Sequence, residues 1–513
     1  MEKKITDKTR PVKNLLNNMG GSKGEKGKEK GKEKGKDAKT AGSYFGDGPG
    51  TKKGPSKQET ISSVGLENAF IERVSKDAQI HDKIELSLYE QYDVKRGLRN
   101  NNGTGVMVGL TRIGDVQGYD VVGDKKVAID GKLFYRGVDI EDIVRACWAE
   151  NRFGYEEASY LLLFGVLPNK KQLEAYKSVL STRRDLPMGF ARDMILVAPS
   201  NNVMNKLARS ILALYSYDEN PDDLSVPNLL RQSVDLIGYF PTLIAYGWQA
   251  KRTYYHNESL HLHYPDANKS TAENILRMIR PTGEYTDQEA KLLDICMILH
   301  AEHGGGNNSS FTIHLVSSTG TDTYSAFAAA VGSLKGPLHG GANIEVLNMV
   351  RDIKANVKDI TNEKELEKYI IKILKGEAGD RSGKLYGLGH AVYTISDPRA
   401  VLLKKMARDL AASKGLMDDF MLYDFIEHRG AQIFQEMKGL ERPLPANVDL
   451  YSGFVYNALD IPMDIATPLF AAARVSGWCA HRVEEVVAGG KIMRPAYKCV
   501  QPMVEYVPIT KRG

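Results

Sequence analysis

The sequence predicts a mainly α-helical chain with a minor β element near residues 105–135. Two observations carry this. From about residue 140 to the end, apolar residues recur at spacings of three and four, as in Leu207–Leu214, Ala290–His300 and Val401–Leu410. Strand-like pieces separated by glycine and aspartate occur only near the front, and no train of strands alternating with crossover helices follows, which argues against a doubly wound sheet.

The elements follow in order. Residues 1–60 carry 16 Lys/Arg and 8 Asp/Glu, a balance of +8. The whole chain is +5, so the remainder sums to −3 and the body is mildly acidic. The run Gly21–Lys36 is almost entirely Gly, Lys and Glu, with nothing to bury, and residues 1–60 read as a disordered tail. Its role is a solubilising arm or a weak attraction to anionic surfaces; specific nucleic-acid binding is not expected. Lysines interspersed with glutamates do not resemble an Arg-rich transit peptide. Residues 61–100 read as helical, and Asn100–Gly105 as a loop. Gly105–Leu110, Gly118–Val122 and Lys125–Ile129 read as strands. Lys132–Ile140 leads into the helices. A second, smaller helical domain is expected over 345–455, with 61–344 and 456–513 forming the larger one. A cleft between two such domains is the usual place for a small-molecule site.

Composition excludes several classes. A chain of 513 residues with 42% hydrophobic content can bury a large core. No run of about 18 apolar residues occurs, so no membrane span is expected, and no apolar segment of secretory type opens the sequence. Cys147, Cys296, Cys479 and Cys499 form no CxxC pair, and a reducing, cytoplasmic setting is the plain expectation. No GxGxxG follows a strand, and neither a GxxxxGK[ST] loop nor a GxSxG elbow is present.

The three motifs that carry most of the chemistry stand in about the last third of the chain. His339 lies in Gly336-Pro-Leu-His-Gly-Gly-Ala-Asn343 and His390 in Gly387-Leu-Gly-His-Ala-Val-Tyr393. Both emerge from small residues that let backbone approach a ligand. His339 either donates to an oxygen gaining negative charge or caps a helix, and His390 either polarises a substrate or packs. Asp449, in Asn447-Val-Asp-Leu-Tyr-Ser-Gly453, is a general base or a turn residue. Arg399, Arg494 and Arg474, the last in an otherwise apolar helix, together with His303, either converge on carboxylates or form ordinary ion pairs and surface contacts. His256, His261 and His263, and the pair His300/His303, do not form the HExxH pattern and have no Cys pair beside them, so a metal centre is not expected.

With these motifs in place, the chain resembles the citrate synthase family, which includes 2-methylcitrate synthases. The matching segments also include Phe134–Ile140, Phe240–Ala245, His300–Asn308, Asp397-Pro-Arg399 and Leu469–Arg474, and the resemblance spans about residues 85–513. It implies a large and a small helical domain, a homodimer, no cofactor beyond the CoA thioester substrate, and condensation of acetyl-CoA with oxaloacetate followed by thioester hydrolysis. By the same resemblance, His339 meets the thioester carbonyl, His390 the oxaloacetate carbonyl, and Asp449 is the base. Arg399, Arg474 and His303 bind substrate, and Arg494 comes from the partner subunit. A donor longer by one methylene, propionyl-CoA, is the close alternative, and a CoA-ester-binding protein without turnover is the rival of another class.

Overall fold

A computed structural model describes residues 57–100, 104–122 and 125–512. The expected tail therefore lies outside the described residues except for its last four, which open a helix. The chain divides into two units, residues 1–106 and 107–513.

In the first unit, α1 (Lys57–His81) and α2 (Leu86–Gln91) are followed by a 3-10 turn, Arg96–Leu98. The helical expectation for 61–100 holds. The loop after it is closed by Asn100 N–H donating to Thr104 O at 2.8 Å and Val106 N–H to Leu98 O at 2.9 Å.

Contrary to the sequence expectation, Gly105–Leu110 is not a strand: only Gly105 pairs, with Arg99, while Met107 and Leu110 are 86% and 90% exposed. Apolar content favours a strand only where a partner strand is available. The sheet lies just after it: β1 (Gly114–Val122) and β2 (Lys125–Tyr135) form an antiparallel hairpin, and β3 (Val138–Asp139) adds two residues. Gly131, Leu133 and Tyr135 point inward on alternate positions of β2, as a half-buried strand requires.

Helices fill the rest: α3 (Ile140–Ala149), α4 (Tyr155–Phe164), α5 (Lys170–Thr182), α6 (Val203–Leu214), α7 (Val226–His256), α8 (Thr271–Ile279), α9 (Asp287–His300), α10 (Asn308–Ser317) and α11 (Thr323–Lys335). They continue with α12 (Ala342–Asn356), α13 (Glu363–Leu374), α14 (Pro398–Lys414), α15 (Met417–Phe425), α16 (Ala431–Lys438), α17 (Val448–Ala458) and α18 (Ala466–Val487). Their starts follow capping chemistry. Asn169, Ser270 and Thr286 head α5, α8 and α9 with reciprocal capping boxes. α3 buries Ile140, Ile143, Val144 and Cys147, a single stripe at helical spacing.

The core runs along α18, which is buried at every position from Ala466 to Arg482 except the half-buried Phe470. Trp478 on it meets the rings of Phe240 on α7 and Phe327 on α11. Tyr155 of α4 donates its hydroxyl to Ala472 O at 2.9 Å. A helix apolar all round belongs in the middle of a large protein, so a charged side chain on it, such as Arg474, is held where water does not reach.

Candidate active site

Two glycines of the hairpin decide where the His390 loop goes. Register slips between Gln117 and Tyr119, so Gly118 bulges; a Cβ there would stand 2.5 Å from Val392 O. A Cβ on Gly131 would stand 2.2 Å from Ser396 O, whose carbonyl accepts the Gly131 N–H at 3.1 Å. Backbone lies directly on backbone at both points, which only glycine allows.

The other edge of the loop is fastened to the start of α17. Gly389 N–H donates to Pro445 O at 2.7 Å and Asn447 N–H to Gly387 O at 2.9 Å, and the Asn447 amide donates to Gly389 O at 2.9 Å. Asn447 also caps α17 by accepting the Asp449 N–H at 3.1 Å. These bonds carry Asp449 to the His390 loop. Asp397 adds a second tie, accepting N–H groups from Arg399 at 3.0 Å and Val448 at 3.2 Å, so one carboxylate caps α14 and reaches the start of α17.

Within this frame, His390 stacks on Tyr393 with centroids 4.5 Å apart and meets His303 edge-on at 5.0 Å. Its Nδ1 accepts the N–H groups of Val392 and Tyr393, both at 3.1 Å, so the neutral ring carries its proton on Nε2. Arg399 is buried and donates to Asp397 through Nε at 3.0 Å and an Nη at 2.8 Å. Arg474 is fully buried; its Nε donates to His300 O at 2.7 Å, while its Nη1 meets no partner among the described residues. His303 Nε2 is likewise buried without a partner. Buried donors of this kind are normally satisfied, and two together mark a place for an anionic ligand.

The charges agree with the contacts. Loss of solvent lifts the half-buried Asp449 carboxyl from 3.8 to about 6; Arg399 and Arg474 pull it back and Asp397 pushes it further up. Burial, followed by the nearby Arg399, holds His303 well below the ordinary imidazole range. Burial and then Arg474 bring His339 down to about 4. Both rings are neutral at physiological pH and serve as hydrogen-bond donors rather than cations. Burial brings Arg474 down to about 10, still protonated.

His303, His390, Arg399, Arg474 and Asp449 therefore stand in one cluster. His339, in the turn between α11 and α12, joins it through the field of Arg474. A family model for the citrate synthase C-terminal domain matches residues 101–496. The chain belongs to the citrate synthase family. It is 35% identical to the citrate synthase of Synechocystis sp. over 75% of this chain and 89% of that one. It is 32% identical to 2-methylcitrate synthase 1 of Corynebacterium glutamicum over 74% and 92%. Among solved structures it resembles the citrate synthase of Thermoplasma acidophilum in ternary complex with carboxymethyl coenzyme A and oxaloacetate. That likeness has a TM-score of 0.66 and 26% identity over 82% of this chain and 99% of that one. The fold is accordingly the mainly α citrate synthase fold, and the chain is an enzyme of the acyltransferase type.

One expected site residue of this family member stands apart. Arg494 is exposed on the extended segment after α18 and is not among the charges acting on Asp449, His303, His339 or Arg474. Two residues beside the site were not anticipated. Ser309 Oγ lies 3.1 Å from His339 Nε2, accepts the Trp478 Nε1–H at 3.2 Å, and sits 2.9 Å from the Asn307 side-chain amide. Tyr393 supplies the face on which His390 rests. Nothing in Asn308-Ser-Ser310 singles out the middle serine, whose importance comes from α18 passing behind it. His256, His261 and His263 form no cluster of ligand atoms among the described residues.

Proposed function

We propose that the chain is a citrate synthase that condenses acetyl-CoA with oxaloacetate and hydrolyses the resulting thioester to citrate and CoA. The observation that carries this is Asp449: a carboxyl lifted to about 6, in the field of Arg399 and Arg474 and tied through Asn447 to the loop of a histidine whose Nε2 bears the proton. A thioester methyl is a weak acid, and a base near neutral pH suits its removal. Asp449 takes that proton. His339 donates to the thioester oxygen as it becomes an enolate, a role for which a neutral ring is suited. The methyl carbon then bonds to the keto carbon of oxaloacetate, whose oxygen is polarised and protonated by His390, and water cleaves the thioester to release CoA. Arg399, Arg474 and His303 hold the acceptor's carboxylates; the unpartnered Arg474 Nη1 and His303 Nε2 support this assignment.

Ser309 bears on the tautomer of His339. Its acceptor side takes the Trp478 N–H, and its single proton, directed to Asn307 Oδ1 in this arrangement, can turn to His339 Nε2. Given to His339, it leaves the imidazole proton on Nδ1, ready for substrate.

The enzyme is a cytoplasmic homodimer without cofactor, in which Arg494 completes the partner's site; its exposure on a segment rich in exposed apolar residues, such as Tyr497, Val504 and Tyr506, supports this. Residues 345–455 act as the smaller domain and close over bound acceptor, keeping water from the enolate.

Release of free thiol from acetyl-CoA upon addition of oxaloacetate tests the activity. Absence of release while both substrates bind would reduce the chain to a CoA-ester-binding protein. Comparison of kcat/KM for acetyl-CoA and propionyl-CoA tests the donor. One methylene is worth only ~1–3 kcal/mol, and a preference for propionyl-CoA would make the chain a 2-methylcitrate synthase with the same residues in the same roles.

A further inference from the structure

Next to the catalytic cluster, two imidazoles meet nitrogen to nitrogen. His314 of α10 and His481 of α18 place Nε2 and Nδ1 2.9 Å apart. Each ring's outer nitrogen lies on a carboxylate: His314 Nδ1 is 2.8 Å from Glu485 Oε2, and His481 Nε2 is 2.9 Å from Glu302 Oε1. A neutral imidazole has one N–H, and an ionised carboxylate only accepts. With both protons directed outward, two lone pairs face each other, and the gap between them calls for a cation.

A third group faces the same gap. Glu484 accepts the Arg112 N–H at 2.7 Å through Oε1. Its Oε2 is buried, meets no donor among the described residues, and lies 3.9 Å from His481 Nδ1. One ligand atom from each of His314, His481 and Glu484 falls within 4.8 Å of the other two. A single proton shared by the rings would satisfy the two nitrogens and leave Glu484 Oε2 unpaired.

We propose that His314 Nε2, His481 Nδ1 and Glu484 Oε2 bind a divalent transition-metal ion of the zinc type, with Glu485 and Glu302 orienting the two imidazoles from outside. Carboxylates on the far nitrogens are how metal-binding histidines are usually held. Two imidazoles and one carboxylate suit zinc, whereas magnesium and calcium prefer oxygen alone. Tetrahedral zinc with nitrogens at 2.0–2.1 Å sets the pair ~3.3 Å apart, so the rings need to part by only ~0.4 Å. The ion braces α10 against α18 and, through Glu302, steadies a counter-charge that acts on Arg474.

The test uses the full-length protein, stripped with a chelator and titrated with Zn²⁺ against a chromophoric competitor. One ion per chain is expected, with a higher melting temperature when loaded. His314→Ala abolishes stoichiometric uptake, Glu484→Gln weakens it, and Glu485→Gln lowers affinity ~10–100-fold. His428→Ala, on an exposed histidine–carboxylate surface, leaves uptake unchanged. Co²⁺ in place of Zn²⁺ gives the visible bands of a tetrahedral site, which Glu484→Gln alters. Should His314→Ala not fold, the two glutamine variants decide. Failure of the parent to take up the ion, or uptake with equal affinity in both glutamine variants, overturns the site and leaves the pair sharing a proton.

Discussion

Asp449→Asn removes the proposed base while keeping the shape of the side chain, and it is expected to change activity and stability in opposite directions. Loss of a positioned base typically costs ~10²–10⁴-fold in turnover, while oxaloacetate affinity stays nearly intact, because the defect lies in the transition state. The stability effect follows from the raised carboxyl. An acid whose pKa is about 6 folded and 3.8 unfolded keeps its proton longer in the native state, so stability falls as pH rises between those values and the full penalty is present above about pH 6. The displacement corresponds to at most ~3 kcal/mol at pH 8 and ~1.5 kcal/mol at pH 5. Asp449 is half-buried, and solvent screening brings the real figure below that ceiling. The asparagine variant carries no such penalty. It should melt above the parent at pH 8, by a margin that shrinks towards pH 5, and the parent's kcat/KM should rise with pH through a limb near 6. Near-normal turnover would remove Asp449 from the role of base. A variant that is inactive yet no more stable than the parent at pH 8 would show that the carboxylate is not held at a cost, and the pKa argument would fall.

Other outcomes follow from the same geometry. Ser309→Ala should lower kcat ~10-fold, about one hydrogen bond's worth, with KM for oxaloacetate unchanged; an unaltered kcat would free His339 from the serine's control. Mixing inactive Arg494→Ala subunits with inactive Asp449→Ala subunits should restore activity in hybrids, and no recovery after verified subunit exchange would place a complete site in each chain. A chain beginning at Lys57 should keep the full-length rate constant and melting temperature, and a large loss of either would give the N-terminal tail a role in the body.

The residues of the candidate cluster were more legible in the sequence than the contacts that hold them. Arg474 was legible because a lone arginine in an apolar helix has to point somewhere that welcomes charge, and it is fully buried against His300 O. The two loop histidines and Asp449 were legible from their small-residue surroundings, and the helices from their spacing. The failures share one cause: each depends on partners remote in the chain. Gly105–Leu110 has the composition of a strand, but pairing is not a property of composition. Ser309 matters because of Trp478, 169 positions later. Gly118 opens a strand-like piece and Gly131 lies just after another, and nothing near them in sequence shows that their bare Cα atoms admit the backbone of residues 392–396. Arg399 is a different case: its bidentate partner, Asp397, is only two positions away, and the grip is visible only once both side chains are placed.

That grip has a mechanical consequence. Asp397 is held by the Arg399 guanidinium and by the Val448 N–H, one residue before Asp449. The arginine and Asp449 are thus mounted on a common bracket and are displaced together. On the proposed roles, an acceptor of different length cannot be accommodated by sliding Arg399 alone, since the Asp449 carboxylate would slide with it and lose its aim at the methyl group. The thioester side has no such linkage, as His339 rests on a separate turn with Ser309. Selection for new substrates should therefore find the donor pocket easier to reshape than the acceptor pocket.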